Sequence, residues 1–471
     1  MSTELWQLSA TELAEQIRAK QVSSREVIDA HLTRIDAVNP RLNAVTVVLT
    51  DEARGAADAA DAALARGDVL GSLHGVPMTV KENIDLKGGA TTSGVRVNLD
   101  HIATRDAPHI EQLRAAGAIA IGRTNMPDYG MRWHTESQLH GHTLNPWDPN
   151  RTPGGSSGGD GAALASGCTP IGMGNDIGGS VRCPSQCCGT VAIRPSLARV
   201  CRSNEFADPS AMFLAAQLMA VQGPMARHVR DLRLTLSNMM GPDPRDPRHI
   251  TAPLQGVPLP KRVALVPEPA GGATEPSVAE GVRAAGRALA DAGYDVEEVA
   301  PPAIDEAARL YWQWMMTDLQ HPFMDNVRAT ALPDAARALE LITANTTLLD
   351  LEGYQRTLAR RHGILTEWST FMADRPIVVG PVYTVPPWPV GWDVESQASN
   401  AAFIEALRLV VTINFLGLPA VAMPVGVAEG LPQSVQVIGP SFREDVCLDA
   451  AEAIEERLGV ITPIDPRSTR P

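Results

Sequence analysis

The sequence predicts an α/β fold: a single large domain in which a central mixed β-sheet is flanked by helices. Three observations carry that prediction. Strand-like and helix-like segments alternate along most of the chain at the spacing of βαβ units. Apolar residues make up 44% and charged residues 20% of the 471 residues, the composition of a globular chain long enough to bury a large core. The alternation never breaks cleanly and contains no repeat of roughly 20–50 residues, which favours one domain over 1–471 rather than two.

The elements follow in order. Ser9 with Glu12, and Ser23 with Glu26, form S-x-x-E capping boxes ahead of apolar-periodic runs, so two amphipathic helices open the chain. Alanine-rich 51–66 reads as a third helix, and 75–81 (GVPMTVK) as a strand ending at Lys81. Helix 109–116, strand 118–122, helix 161–166 and strand 170–174 continue the alternation. Residues 241–260, rich in Pro and Asp, are a connection. Strand 261–267 and helix 276–292 resume the pattern. Residues of about 303–372, with Trp312, Trp314 and Trp368, form a mainly helical, pocket-forming insertion, and strands 377–382, 420–425 and 434–438 finish the sheet.

Charge and composition exclude several classes. The 40 basic residues against 54 acidic ones leave a net charge of −14, which repels phosphate backbones, so no nucleic-acid partner is expected. No window approaches the roughly 18 continuous apolar residues of a membrane helix. The first twenty residues lack the basic and apolar regions of a signal peptide. Six cysteines are too few for a disulfide scaffold, and a cytoplasmic protein with reduced thiols is expected. Only four lysines occur, Lys20, Lys81, Lys87 and Lys261, which makes each worth inspecting.

The chemistry concentrates in 153–195. Its glycines bracket Ser156, Ser157 and Ser180, and such density implies unusual backbone conformations or close approach to a ligand. A flexible linker does not contain the apolar spacing of 162–165, Ile171, Met173 and 191–193. A phosphate cradle lacks both G-x-x-x-x-G-K-[ST] and a strand-borne G-x-G-x-x-G. Gly154-Gly155-Ser156-Ser157-Gly158 matches the G-x-S-x-G elbow, but no strand precedes it, and of the downstream histidines only His228 and His249 lie near Asp residues, in apparent loops. It stays as the runner-up mechanism.

The same segment resembles the amidase signature family. The matching elements are 154–159 (GGSSGG), Asp176-Ile177-Gly178-Gly179-Ser180-Val181-Arg182, Pro184, Gly189-Thr190 and Arg194-Pro195. Upstream, 75–85 matches the family's lysine strand. Thr124 to Met126, Thr135-Glu136, 145–148, Asn39-Pro40 and 42–44 match as well, so the resemblance spans nearly the whole chain, with a signature core of about 70–200. It implies the amidase signature fold and a Ser–cis-Ser–Lys triad: Ser180 as nucleophile, Ser156 as bridging serine and Lys81 as base. The residue chemistry agrees, since a serine hydroxyl needs a positioned base and burial can bring a lysine towards neutrality. The peptide N–H groups of Ile177, Gly178, Gly179 and Ser180 would form an oxyanion hole, with Ser157, Asp176 and Arg182 bracing it. Asn175 stands where the family usually has Ser or Thr, Arg194 where it has Lys, and Gln186-Cys187-Cys188 where Ala-Phe-Cys is common.

Metal readings are set aside. Cys183, Cys187, Cys188 and Cys201 lack paired C-x-x-C spacing, and His134, His140 and His142 have no downstream Cys or carboxylate cluster in the sequence. Neither metal nor organic cofactor is expected. Met126, Tyr129, His134, Tyr383, Trp388 and Trp392 are the candidate pocket residues, the last three from a Pro-stiffened aromatic loop. The expected activity is hydrolysis of small amides, aryl or alkyl, with carbamates (urethanes) and esters open to the same tetrahedral chemistry, by a monomer or homodimer. The alternatives are the glutaminase component of a tRNA-dependent amidotransferase and a catalytically inactive amide-binding relative.

Overall fold

The computed structural model describes residues 4–206 and 212–468. Its frame is one eleven-stranded sheet. In chain order the strands are β1 (Val45–Val48), β2 (Pro77–Lys81), β3 (Ile119–Thr124), β4 (Ile171–Asp176), β5 (Val191–Arg194), β6 (Val221–Ala226), β7 (Arg262–Leu265), β8 (Asp295–Glu298), β9 (Ile377–Pro381), β10 (Ala420–Ala428) and β11 (Leu431–Ile438). Across the sheet they run β1-β3-β2-β4-β6-β5-β10-β11-β9-β7-β8. β2 is parallel to both its neighbours, β3 and β4. At the other end β9, β7 and β8 are mutually parallel neighbours, while the remaining pairs are antiparallel. The sheet is therefore mixed, and helices cover it on both sides.

Two large cores result, because successive strand side chains point to opposite faces, with a small third cluster of Leu164, Val181, Ala192 and Met225. Met78 and Val80 of β2 join one core with Ile110, Leu232, Leu289 and Leu448. Ile119 and Ile121 of β3 join the other with Ile28, Trp314 and Phe415. Thr79 and Lys81 point to the face opposite Met78 and Val80, and both are fully buried.

Both opening helices start at their capping boxes: Ser9 and Ser23 accept the backbone N–H of Glu12 and Glu26. The predicted third helix is Thr50–Arg66, and 303–372 yields Ile304–Asp318, Asp325–Thr330, Pro333–Ala344 and Leu351–Asp374. Strands β1, β5, β6 and β8 were not assigned from sequence. β6 (VQGPMA) carries the Gly-Pro pair that ordinarily argues against a strand interior. The glycine is there because a Cβ on Gly223 would stand 2.3 Å from the Ile193 carbonyl oxygen of neighbouring β5. The helix Arg182–Cys188 was hidden by Pro184.

Among the described residues no single helix is long and apolar enough to cross a membrane. The pair Gln397–Ala406 and Arg408–Leu416 passes that test only jointly, is bent by 59°, and its second member is buried throughout. All six cysteines are buried free thiols.

Candidate active site

Because β2 and β4 are parallel neighbours, their carboxyl ends lie together, the position at which open α/β sheets place ligands. Lys81 closes β2, and Asn175 and Asp176 close β4. The loop 153–157 crosses this end and continues into helix Gly158–Ala165. Its Gly155–Ser156 peptide is cis. A Cβ on Gly174 would stand 2.6 Å from Ser157 Oγ, so glycine in β4 lets the serine turn approach the strand.

Lys81 Nζ donates to Ser156 Oγ at 2.7 Å, to Ser157 Oγ at 3.0 Å and to Asn175 Oδ1 at 2.9 Å. All three acceptors are neutral. Burial draws the lysine down to about 7, against the pull of Asp160 and Asp176 in the other direction. Asn83 supports this cluster, Asn175 Nδ2 donating to its Oδ1 at 2.8 Å. Ser157 N–H donates to the Ser180 carbonyl at 3.1 Å, tying the two serine segments together.

The loop 177–180 is held by its carbonyls. Arg194 Nη1 donates to the Asp176 carbonyl at 2.8 Å, Tyr311 OH to that of Ile177 at 3.0 Å, and Trp133 Nε1 to that of Gly178 at 2.8 Å. Cys183 N–H donates to the Gly179 carbonyl at 2.6 Å. In a trans peptide the N–H points opposite the C=O, so the N–H groups of Ile177, Gly178 and Ser180 point away from these anchors. Gly179 departs from the expected set of four, because its N–H is already given to Asp176 Oδ1 at 2.9 Å. It must still be glycine: φ is +95°, and a Cβ would lie 2.5 Å from Cys183 Sγ.

Asp176 and Arg182 brace this loop from beneath. Arg182 Nε and Nη2 each reach Asp176 at 3.1 Å, and Arg182 Nη1 and Nη2 also donate to Gln436 and Asn414. Burial pushes the Asp176 carboxyl up, but Arg182 and Arg194 outweigh it and hold it well below the usual carboxylate range. Asp160, fully buried on the helix after the serine turn, experiences the reverse balance. Burial pushes its carboxyl up, opposed by a hydrogen bond from Thr124 and by Lys81.

A cavity of ≈ 360 Å³ opens over Ser156, walled by Tyr129, Met131, Ile177, Phe213 and Phe323, with Asn83, Asn175, Asp176 and Arg202 as its polar lining. Of the six predicted pocket residues only Tyr129 lines it. Met126 is buried without reaching the cavity wall. Tyr383 and Trp388 are core, at 0% and 3% exposure, because their rings meet edge-on at 4.7 Å and Trp388 also packs on Phe403. Half-buried Trp392 lies against Trp388. Phe213 and Phe323 were missed, since isolated aromatics in segments without periodicity carry no signal of a pocket.

His134 is drawn away from the cavity. Its Nδ1 lies 3.1 Å from Thr152 Oγ1 and its Nε2 3.1 Å from His142 Nδ1. Burial pulls it down to about 3, keeping it neutral. A carboxylate does join these histidines, which the sequence had not indicated: Glu136, paired with His142 across a two-residue ribbon, lies 3.0 Å from His142 Nε2. His140 pairs instead with Glu82 at 2.8 Å.

A family model, Amidase, matches residues 26–448, so the chain belongs to the amidase signature family and is an amidase, a hydrolase of amide C–N bonds. It is 43% identical to the indoleacetamide hydrolase of Bradyrhizobium diazoefficiens over 97% of this chain and 88% of that protein. It is 33% identical to a glutamyl-tRNA(Gln) amidotransferase component from Salinispora arenicola, over 98% of this chain and 99% of that one. Among solved structures, 6-aminohexanoate cyclic dimer hydrolase bound to its substrate superposes with a TM-score of 0.83 at 26% identity, covering 99% of each chain.

Proposed function

We propose that the chain hydrolyses small apolar amides, arylacetamides foremost, through an acyl-enzyme on Ser180. The observation that carries this reading is the 2.7 Å contact between Lys81 Nζ and Ser156 Oγ, made by a buried lysine whose acceptors are all uncharged. Neutral Lys81 takes the Ser156 proton while Ser156 takes that of Ser180, whose Oγ attacks the substrate carbonyl carbon. The oxyanion accepts from the N–H groups of Ile177, Gly178 and Ser180, each such donor typically contributing about 3–4 kcal/mol. The proton returns through Ser156 to the leaving nitrogen, the C–N bond breaks, and the amine departs. Water repeats the sequence on the acyl-enzyme and releases the carboxylic acid and Ser180. Carbamates and esters enter the same path, a carbamate giving a carbamoyl-enzyme.

The aromatic walls of the cavity over Ser156 (Tyr129, Phe213 and Phe323) and the activity in the name of the Bradyrhizobium relative both support an aryl-bearing acyl group. The amidotransferase-like reading, supported by the Salinispora relative, would place the same triad in a glutaminase that depends on partner chains. Exposure to a fluorophosphonate followed by peptide mapping, together with assays on phenylacetamide and glutamine, tests the proposal. The expected result is an adduct on Ser180, lost in Lys81→Met, with turnover of phenylacetamide by the isolated chain. An adduct on Ser156 would return the elbow mechanism, and activity on glutamine alone would favour the amidotransferase reading.

A further inference from the structure

A second cavity, of ≈ 350 Å³, borders the strands β1 and β3 and the loop after β2, and shares no lining residue with the cavity over Ser156. Val47, Leu49, Leu86 and Leu139 give it apolar walls. Arg123, 3% exposed, supplies a deeply buried cation. Arg123 Nη2 is fully used: it donates to the carbonyls of Lys81, Glu82 and Ile84 at 3.3, 2.9 and 2.9 Å. Nε and Nη1 have no partner among the described residues. Buried donors are rarely left so. A Cβ on Gly89, in the cavity wall, would come within 3.1 Å of Nη1, so any side chain at 89 would crowd the buried guanidinium.

The two acids that act on Arg123, Asp85 and Glu82, are both served by other donors, Asp85 by the Thr91 hydroxyl and the Glu205 N–H. Glu82 is already served by Thr46, Thr92 and His140. Arg114 pairs with Asp106. Exposed Lys87 stands in the lining with no ion pair among the described residues, and Glu52 is the remaining acid there. A volume of this size suits a compact organic ligand.

We propose that this cavity binds a small monocarboxylate with an apolar body. Its carboxylate oxygens accept from the free N–H groups of Arg123, Lys87 attracts it from the exposed side, and its body lies against Leu86 and Leu139. Two sources share that chemistry: the acid released by amide hydrolysis, and an unrelated alkanoic acid. Because Arg123 also holds the Lys81 carbonyl, an occupant would bear on the strand end that carries the lysine.

Photolabelling of the intact chain with 4-azidophenylacetate, followed by peptide mapping, tests this without reference to turnover. Adducts are expected within 86–90 or at 139–140. They should fall at least several-fold in Lys87→Glu and disappear in Gly89→Leu, and 4-azidobenzyl alcohol, with the same body and no carboxylate, should not produce them. Competition by phenylacetate or by octanoate then tells which source fits better, and displacement by either supports the site. Labelling confined to 129–131 or 212–216, equal labelling by the alcohol, or labelling unchanged in Lys87→Glu would overturn the proposal.

Discussion

Lys81 and Asp176 sit at the ends of adjacent parallel strands, both fully buried, and the fold treats their charges in opposite ways. Asp176 accepts from Arg182, Asn414 and Gly179 N–H, with Arg194 Nη1 3.5 Å away, so its charge is met on every side. Lys81 meets only two hydroxyls and an amide oxygen. A charge so fully paired stays ionised and holds its neighbours still, whereas one given only neutral acceptors in a dry site is free to lose its proton. In the proposed mechanism the contrast separates a scaffold residue from the base, though both belong to the glycine-rich stretch and its partner strand.

Four substitutions break or sharpen that contrast. Lys81→Met should lower kcat/KM for phenylacetamide by about 10²–10⁴-fold, the usual worth of a general base, while denaturant unfolding stays close to that of the parent chain. Asp176→Asn should act first on the fold, destabilising it by about 3–5 kcal/mol through uncompensated buried guanidinium charge, read as a shifted denaturant midpoint. Phe213→Ala removes a cavity wall and should raise KM for aryl substrates roughly tenfold with little change in kcat. Asn175→Ala deletes one acceptor of the ammonium form. The charged lysine is then less favoured, so the acid limb of the kcat/KM profile should move to lower pH, by about one unit at most.

Much of this was readable beforehand, for identifiable reasons. The capping boxes at Ser9 and Ser23, the strand ending at Lys81 and the glycines around Ser156 and Ser180 are local signals, and each lies where the sequence placed it. The aromatic loop misled because Tyr383 packs on Trp388 and Trp388 on Phe403 instead of lining the cavity over Ser156, packing that no periodicity in the loop announces. Glu136 joined His134 and His142 through a ribbon too short to show any alternation. Gly179 looked like a free donor until Asp176, three residues earlier, claimed its N–H.

The state of Lys81 is the centre of the account, and the chain offers a direct view of it. With four lysines, ¹³Cε-lysine labelling gives a spectrum in which the signal missing from Lys81→Met is Lys81. The account predicts that this signal titrates with a midpoint of about 7, and that kcat/KM rises with pH through the same midpoint as the ammonium becomes the free base. A Lys81 signal that stays protonated above pH 9 while the enzyme turns over at pH 7 would contradict it.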